Sequence, residues 1–291
     1  MRTRFAPAPT GFLHLGHVAN ALYVWGVARA QGAEVLLRIE DHDRQRCRPE
    51  YEAALLEDLD WLGLIPDLGI TEEYRRGRSP YRQSDNAEIY QAHVALLRER
   101  GYHIYSCNCS RRSVADEAGA TGRYPGTCRD RGLADGPGMG LRVVLASGLE
   151  SFEDLRLGSQ SQEPAARCGD LLLRDRLGHW TYHYAVVVDD LRQGIDLIIR
   201  GEDLLESTGR QLRLARMLGR TDLPHFLHHP LILKSGGDKL SKANRDTGVR
   251  ELRARGATCE SVYGKALHAV GLLAESRPLP LDAAMELAAQ G

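Results

Sequence analysis

The chain has 291 residues, of which 43% are hydrophobic and 26% charged, and its formal net charge is −1. These are the proportions of an ordinary globular protein whose core needs no staples, and a nucleic-acid partner must be met by a local basic patch rather than a global field. No run approaches 18 apolar residues and the N-terminus, with Arg2, Arg4 and early prolines, is no secretory signal, so a cytoplasmic protein without a membrane span is expected.

Taken in chain order, residues 3–5 read as an extended segment and residues 17–30 as an amphipathic helix with Val18, Ala21, Leu22, Trp25 and Ala28 on one face. Residues 34–40, with Val35, Leu36, Leu37 and Ile39 in near succession, have the pattern of a buried parallel strand. Pro49 opens a helix carrying Leu55, Leu56, Leu59 and Leu62 at the 3.6 period, and a capping box from Asp85 to Glu88 opens another that runs to Gly101. Residues 106–161 lose this regularity and have the character of an insertion. Regular structure returns at 171–173, continues as strand through 180–189 and 195–200, and is followed by a helix from Ser207 or Thr208 to Leu218 with Gly219 past its end. Short helices over 261–273 and 282–289 complete the chain.

The expected fold class is α/β, with a Rossmann-type parallel sheet, an insertion and a short helical C-terminal part. Its expected divisions are 1–105 for the first half of the catalytic domain, 106–165 for the insertion, 166–230 for the second half, and 231–291 for a lysine loop with the terminal helices.

Two short motifs carry the chemistry. His14-Leu15-Gly16-His17 stands after a Pro-rich entry and at the start of a helix, where free N–H groups and the helix dipole favour a polyphosphate. Gly16 lets a nucleotide lie against the backbone there. Lys239-Leu240-Ser241-Lys242 follows the Gly236-Gly237 pair, and three of the chain's four lysines (Lys234, Lys239, Lys242 and Lys265) fall in this segment. Mobile cations of this kind can close over phosphates as charge develops. Neither string alone decides the matter, and the lysine string carries less than the histidine one; in this order they are read as one ATP site. His14, His17, Lys239 and Lys242 are its catalytic candidates, and His14, Gly16, His17 and Lys242 its ATP-binding ones.

The six cysteines of an intracellular chain read as thiols or metal ligands, and the Asn108-Cys109-Ser110 sequon as a chance match. Cys107-Asn108-Cys109 with Cys128 offers three of the four ligands zinc requires, with His103 and Cys168 as candidates for the fourth. Cys47 and Cys259 are most simply packing residues.

Arg4-Phe5-Ala6-Pro7-Ala8-Pro9-Thr10-Gly11, H-L-G-H, Arg38-Ile39-Glu40-Asp41-His42-Asp43, Tyr182-His183-Tyr184-Ala185 with Val188-Asp189-Asp190, Ile199-Arg200-Gly201-Glu202-Asp203 and K-L-S-K together resemble glutamyl-tRNA synthetases over nearly the whole chain. The expected absence of a helical anticodon-binding domain after K-L-S-K, with the cysteine pattern, is similar to the glutamyl-queuosine tRNA(Asp) synthetase family, of the class I aminoacyl-tRNA synthetase type. The resemblance implies a ligase that activates L-glutamate with ATP, Mg²⁺ assisting, and transfers it to queuosine in the tRNA(Asp) anticodon loop. It implies a glutamate pocket of Arg4, Ala6, Ala8, Glu40, Tyr182 and Arg200, and a structural zinc held by Cys107, Cys109, Tyr124 and Cys128. Ala8 stands where serine is more usual, and Ala243 likewise departs from serine after the lysine motif.

Residue chemistry supports glutamate independently. A dicarboxylic amino acid needs cationic donors for its carboxylates and an acceptor for its ammonium, and bidentate arginines suit the former. The plainer alternative for Arg200 and Glu40 is membership of surface ion pairs. Competing functions are a short glutamyl-tRNA synthetase that charges a tRNA 3′ end, a non-catalytic zinc-bearing RNA-binding module, and a small nucleotidylyltransferase, which would not need the Arg4, Glu40 and Arg200 set.

Overall fold

The computed structural model describes residues 1–119, 122–231 and 248–291. Lys239 and Lys242, with the rest of the lysine motif, lie outside the described residues. In chain order the elements begin with β1 (Arg2–Phe5), α1 (Leu15–Gln31), β2 (Glu34–Leu37), α2 (Pro49–Trp61), α3 (Thr71–Arg75), a 3-10 turn over Gln83–Asn86 and α4 (Ala87–Glu99). Next come β3 (Ile104–Cys107), α5 (Arg111–Ala118), β4 (Gly140–Val143), β5 (Glu150–Asp154), β6 (Gly158–Gln162), α6 (Pro164–Cys168) and β7 (Leu171–Arg174). The remainder is α7 (Tyr182–Arg192), β8 (Leu197–Gly201), a 3-10 turn over Glu202–Ser207, α8 (Thr208–Met217), β9 (His225–His229), α9 (Val249–Ala254), α10 (Cys259–Ala269) and α11 (Leu281–Gln290).

β1 pairs with β2 and β8 pairs with β9, both in parallel, as buried apolar strands joined by helices require. The two pairs lie side by side: the Asp196 N–H donates to Arg2 O at 3.1 Å, and the Arg2 N–H to Asp196 Oδ1 at 2.8 Å. The chain therefore leaves β1 and β8 in different directions from neighbouring positions, and a crevice opens at their carboxyl ends.

α1 is not amphipathic as expected. It is buried around its whole circumference, Ala19, Tyr23, Val24 and Val27 included, because α10 and α11 cover the side that the sheet does not. A Cβ on Gly26 would lie 2.1 Å from Met285 O, so the α1–α11 approach admits no side chain there.

Three further expectations are corrected. Residues 182–192 form a helix, not a strand. Val186, Val187 and Val188 favour strands by local preference, but Tyr184, Val187, Val188 and neighbouring residues pack α7 against α4, β7 and α8, and packing decides. The Asp85 capping box does not form, because Asp85 Oδ2 accepts from Ser79 N at 2.9 Å and Arg82 Nη1 at 2.8 Å; α4 starts at Ala87 with no side-chain cap. The stretch 106–161 is not irregular. β3 and β4 join β7 in an antiparallel sheet, while β5 and β6 extend the β8–β9 sheet in the order β6-β5-β9-β8. No helix among the described residues is long and apolar enough to cross a membrane.

Candidate active site and cysteine cluster

A cavity of about 250 Å³ opens between the β1–α1 junction and the ends of β8 and β9, lined by His14, Gly16, His17, Gly201, Asp203 and His229 among others. His14 is the N-cap of α1, and its Nδ1 accepts from the Gly16 N–H at 3.1 Å. His17 returns the favour: its Nδ1 accepts from the His14 N–H at 3.1 Å, closing a capping box made of two imidazoles. With both Nδ1 atoms occupied by backbone donors, each neutral ring carries its proton on Nε2, an N–H suited to a phosphate oxygen. The rings lie 3.9 Å apart. Gly16 has a second reason to be glycine, since a Cβ there would come within 2.9 Å of the His14 ring. The opposite wall is His229, stacked on Tyr23 at 4.6 Å and kept neutral by burial, which lowers its pKa to about 4.

Both ends of the segment that carries the lysine motif reach this cavity. Leu231 lines it, and Gly248 forms a β-bridge with His14 while the Val249 N–H donates to Leu13 O at 2.9 Å.

Beside the cavity lies a second, drier set of charges. Arg38 is fully buried and donates to Glu40 Oε1 at 2.9 Å, to Asp190 Oδ1 at 2.7 Å and to Gln193 Oε1 at 2.9 Å. Arg4 donates to the same Asp190 oxygen at 3.1 Å and to Ile199 O at 3.3 Å. Burial opposes ionisation of Asp190, but Arg4 and Arg38 outweigh it and hold its carboxyl below the usual range. Ala6 and Ala8 flank Pro7, whose carbonyl accepts from the Glu40 N–H at 3.1 Å, so the entry segment runs alongside Glu40. Tyr182, at the first turn of α7, faces this group. Its hydroxyl is pushed up by burial and by the Glu40 charge, against the pull of Arg200 and Arg4.

Arg200 is different. It is 4% exposed, and its partners are neutral: Nε donates to His228 Nε2 at 3.0 Å, Nη1 to Gln211 Oε1 at 2.6 Å and Nη2 to Thr208 Oγ1 at 2.8 Å. Among the described residues no carboxylate lies within ion-pair distance of it. Burial, with the Arg4 charge nearby, lowers its pKa. A buried guanidinium with neutral acceptors is an anion receptor awaiting its anion. Neither Arg200 nor Glu40 is a surface residue, although Glu40 does belong to an ion pair. Sequence reasoning missed Arg38 and Asp190, although both stand inside quoted motifs, and also Asp154, His228, Thr208 and Gln211, for which no periodicity gives a signal.

The cysteine cluster sits where β3 meets the following turn. The Sγ atoms of Cys107, Cys109 and Cys128 lie within 4.8 Å of one another, with Cys109 and Cys128 at 3.5 Å. Tyr124 Oη is 3.5 Å from Cys107 Sγ and 3.9 Å from Cys109 Sγ. Tetrahedral zinc with bonds of about 2.3 Å places its sulfurs roughly 3.8 Å apart, so the donor set fits. Cys128 is drawn down to about 7: burial opposes this, but donors from Asn108, Cys109 and Tyr124 prevail. Burial pushes Cys109 up to about 12. Arg142 covers the Tyr124 ring at 3.6 Å and donates to Cys107 Sγ at 3.4 Å. Cys168 instead donates to Pro164 O at 3.2 Å and is not among the clustered sulfurs.

Residues 1–263 match the family described as tRNA synthetases class I (E and Q), catalytic domain. The chain is 38% identical over 281 residues to a glutamyl-Q tRNA(Asp) synthetase of Rhodobacter capsulatus, an alignment covering 89% of this chain and 96% of that protein. It is 37% identical over 258 residues to a glutamate–tRNA ligase of Frankia alni, covering 88% of this chain but 53% of that one. It also superposes on the crystal structure of a glutamate tRNA ligase from Elizabethkingia meningosepticum in complex with its amino acid. The TM-score is 0.77 and the identity 28%, over 99% of this chain and 65% of that one. The chain thus belongs to the glutamyl-Q tRNA(Asp) synthetase family, ligases of the class I aminoacyl-tRNA synthetase type.

Proposed function

We propose that this protein activates L-glutamate with ATP and transfers it to the queuosine base in the anticodon loop of tRNA(Asp). The observation that carries the proposal is Arg200, a buried guanidinium with neutral acceptors and no carboxylate within ion-pair distance among the described residues, set one strand away from the imidazole pair of the cavity. A glutamate carboxylate supplies the missing anion, the Glu40 carboxylate receives its ammonium, and Arg4, Tyr182, Ala6 and Ala8 complete the walls.

In the first step an oxygen of the α-carboxylate attacks the α-phosphorus of ATP, forming the mixed anhydride as pyrophosphate leaves. His14 and His17 donate from Nε2 to phosphate oxygens in the cavity they line. Lys239 and Lys242 stabilise the leaving charge, and Mg²⁺, when bound with ATP, would supply further neutralisation of the phosphates. In the second step a hydroxyl of the queuosine cyclopentene ring attacks the carbonyl and AMP leaves. Cys107, Cys109, Tyr124 and Cys128 would hold a zinc ion that serves as a structural brace beside β3 and not in the chemistry.

The second candidate, charging of a tRNA 3′ end, has the similarity to the Frankia alni ligase in its favour. One assay separates the two. Transfer of labelled glutamate should survive removal of the 3′-terminal adenosine, which leaves the queuosine diol intact, and should vanish on tRNA(Asp) carrying guanosine in place of queuosine. Transfer that ignores queuosine and needs the intact 3′ end would establish the second.

A further inference from the structure

We propose that Asp154 and His228 are positioning residues: together they hold the Arg200 guanidinium in its glutamate-receiving orientation while leaving its charge uncompensated. The proposal rests on Arg200 as the receptor of a glutamate carboxylate.

The geometry starts at Asp154, on the last residue of β5, with its side chain fully buried. Its carboxylate receives four donors. Oδ1 accepts from the N–H groups of Arg156 at 3.1 Å and Leu157 at 2.9 Å; Oδ2 accepts from the His228 N–H at 3.1 Å and from His228 Nδ1 at 2.6 Å. The three backbone contacts can only be donors, so each oxygen acts as an acceptor, a set that favours the ionised carboxylate. Burial opposes that charge, but His228 and the backbone donors overcome it and lower the Asp154 pKa.

The imidazole then has no choice of tautomer. Its Nδ1 carries the proton toward Asp154, and its Nε2 presents a lone pair. That lone pair meets Arg200 Nε, which can only donate, at 3.0 Å, with Thr208 Oγ1 at 3.2 Å. The strand register puts Arg200 directly opposite His228 in the β8–β9 ladder, so the ring spans the gap without strain on either chain. Below both lies Phe226, stacked on the His228 ring at 5.9 Å and under the Arg200 guanidinium at 5.6 Å.

Interposing a ring between carboxylate and guanidinium has a chemical consequence. A carboxylate in direct contact with Arg200 would orient it equally well, yet would compete with the substrate for its charge. A neutral acceptor orients without competing. The same logic covers Gln211 and Thr208, the other two acceptors, and it suits a pocket that must tell a carboxylate from an amide of the same size.

The experiment is glutamate-dependent exchange of pyrophosphate into ATP, with KM for glutamate and for ATP measured separately. The variants are Asp154→Asn, His228→Gln, the double variant, His228→Met and Arg200→Lys. An amide at 154 faces donors with its NH₂ in either flip, so Asp154→Asn frees His228 to turn an N–H toward Arg200. Glutamine at 228 accepts through an oxygen that no tautomer can reverse. Asp154→Asn should raise the glutamate KM about 20-fold or more with the ATP KM little changed, and His228→Gln by up to about fivefold. The double variant should resemble His228→Gln alone.

If Asp154→Asn multiplies the glutamate KM by the same factor in both backgrounds, Asp154 is only capping its own turn and the relay is overturned. Should Asp154→Asn fail to fold, His228→Met decides, because it removes the acceptor with Asp154 intact; an unchanged glutamate KM overturns the relay. A normal glutamate KM in Arg200→Lys would remove Arg200 from the pocket and take the relay with it. A raised value there with no coupling between 154 and 228 would overturn the relay alone.

Discussion

Arg200→Lys keeps a buried cation but removes the planar fork. In the present structure three acceptors, His228 Nε2, Gln211 Oε1 and Thr208 Oγ1, surround the guanidinium at 3.0, 2.6 and 2.8 Å. Arginine has five N–H donors, so two remain for a carboxylate; an ammonium has three and cannot serve three protein acceptors and a substrate at once. Either one protein acceptor or the substrate loses its bond. A hydrogen bond to a charged group contributes about 1.5–3 kcal/mol, so the glutamate KM in pyrophosphate exchange should rise roughly 10- to 150-fold. The ATP KM should stay within about threefold, because the cavity proposed for the triphosphate is lined by other residues. Thermal stability should change little, as the charge and most of the volume are kept. A variant with wild-type glutamate KM, or with equal damage to both substrates, would refute the assignment of Arg200 to glutamate.

Gly16→Ala places a methyl group within 2.9 Å of the His14 ring and should open the imidazole capping box; loss of the cap costs about 1 kcal/mol of stability, and exchange kinetics should show a lower kcat with the glutamate KM preserved. Metal analysis should find about one zinc per chain in the wild type and none retained through dialysis in Cys128→Ser, with a lowered Tm, while full retention would place the ligands elsewhere. Asp58 is buried in α2 with Oδ2 unpartnered, and burial pushes its carboxyl up to about 6 against the pull of Arg253 and Arg250. Its folded pKa lies above the unfolded value, so its neutral form favours folding at low pH and that contribution is lost as pH rises from about 4 through 6. Asp58→Asn should therefore flatten this limb of the Tm–pH profile and raise Tm at pH 7.5; an unchanged profile would show that Asp58 is ionised throughout.

Where sequence pattern and structure agree, the same physical constraint sets both. The β1, β2 and α2 assignments follow from apolar spacing, whereas the arginine and glutamate candidates come from the family resemblance, with Arg4 and Arg200 at strand ends where α/β enzymes bind ligands. The cysteine cluster is legible for a similar reason, since ligand spacing survives as spacing in the chain. Val186, Val187 and Val188 mislead because local preference for strand is weaker than the packing that makes α7 a helix. Asp154 and His228 leave no pattern. They serve another side chain rather than substrate, and their adjacency exists only through the β5–β9–β8 pairing. Lys239 and Lys242 lie outside the described residues, so their role rests on the motif and on the positions of the flanks.

Those flanks deserve physical weight. Leu231 precedes the lysine-bearing segment and lines the cavity, while Gly248 follows it and is bridged to His14, with Val249 N–H bonded to Leu13 O at 2.9 Å. The C-terminal flank is therefore tied to the imidazole motif, and the N-terminal flank lines the same cavity. A Cβ on Gly248 would meet only the movable end of the exposed Glu251 side chain, with Leu13 O at 3.4 Å. Beyond it, α9 contributes Val249 and Leu252 to the core shared by α1 and α2. The helical C-terminal part thus does two things at once: it seals the side of α1 that the sheet leaves open, and it fixes the exit of the cationic segment beside the histidines.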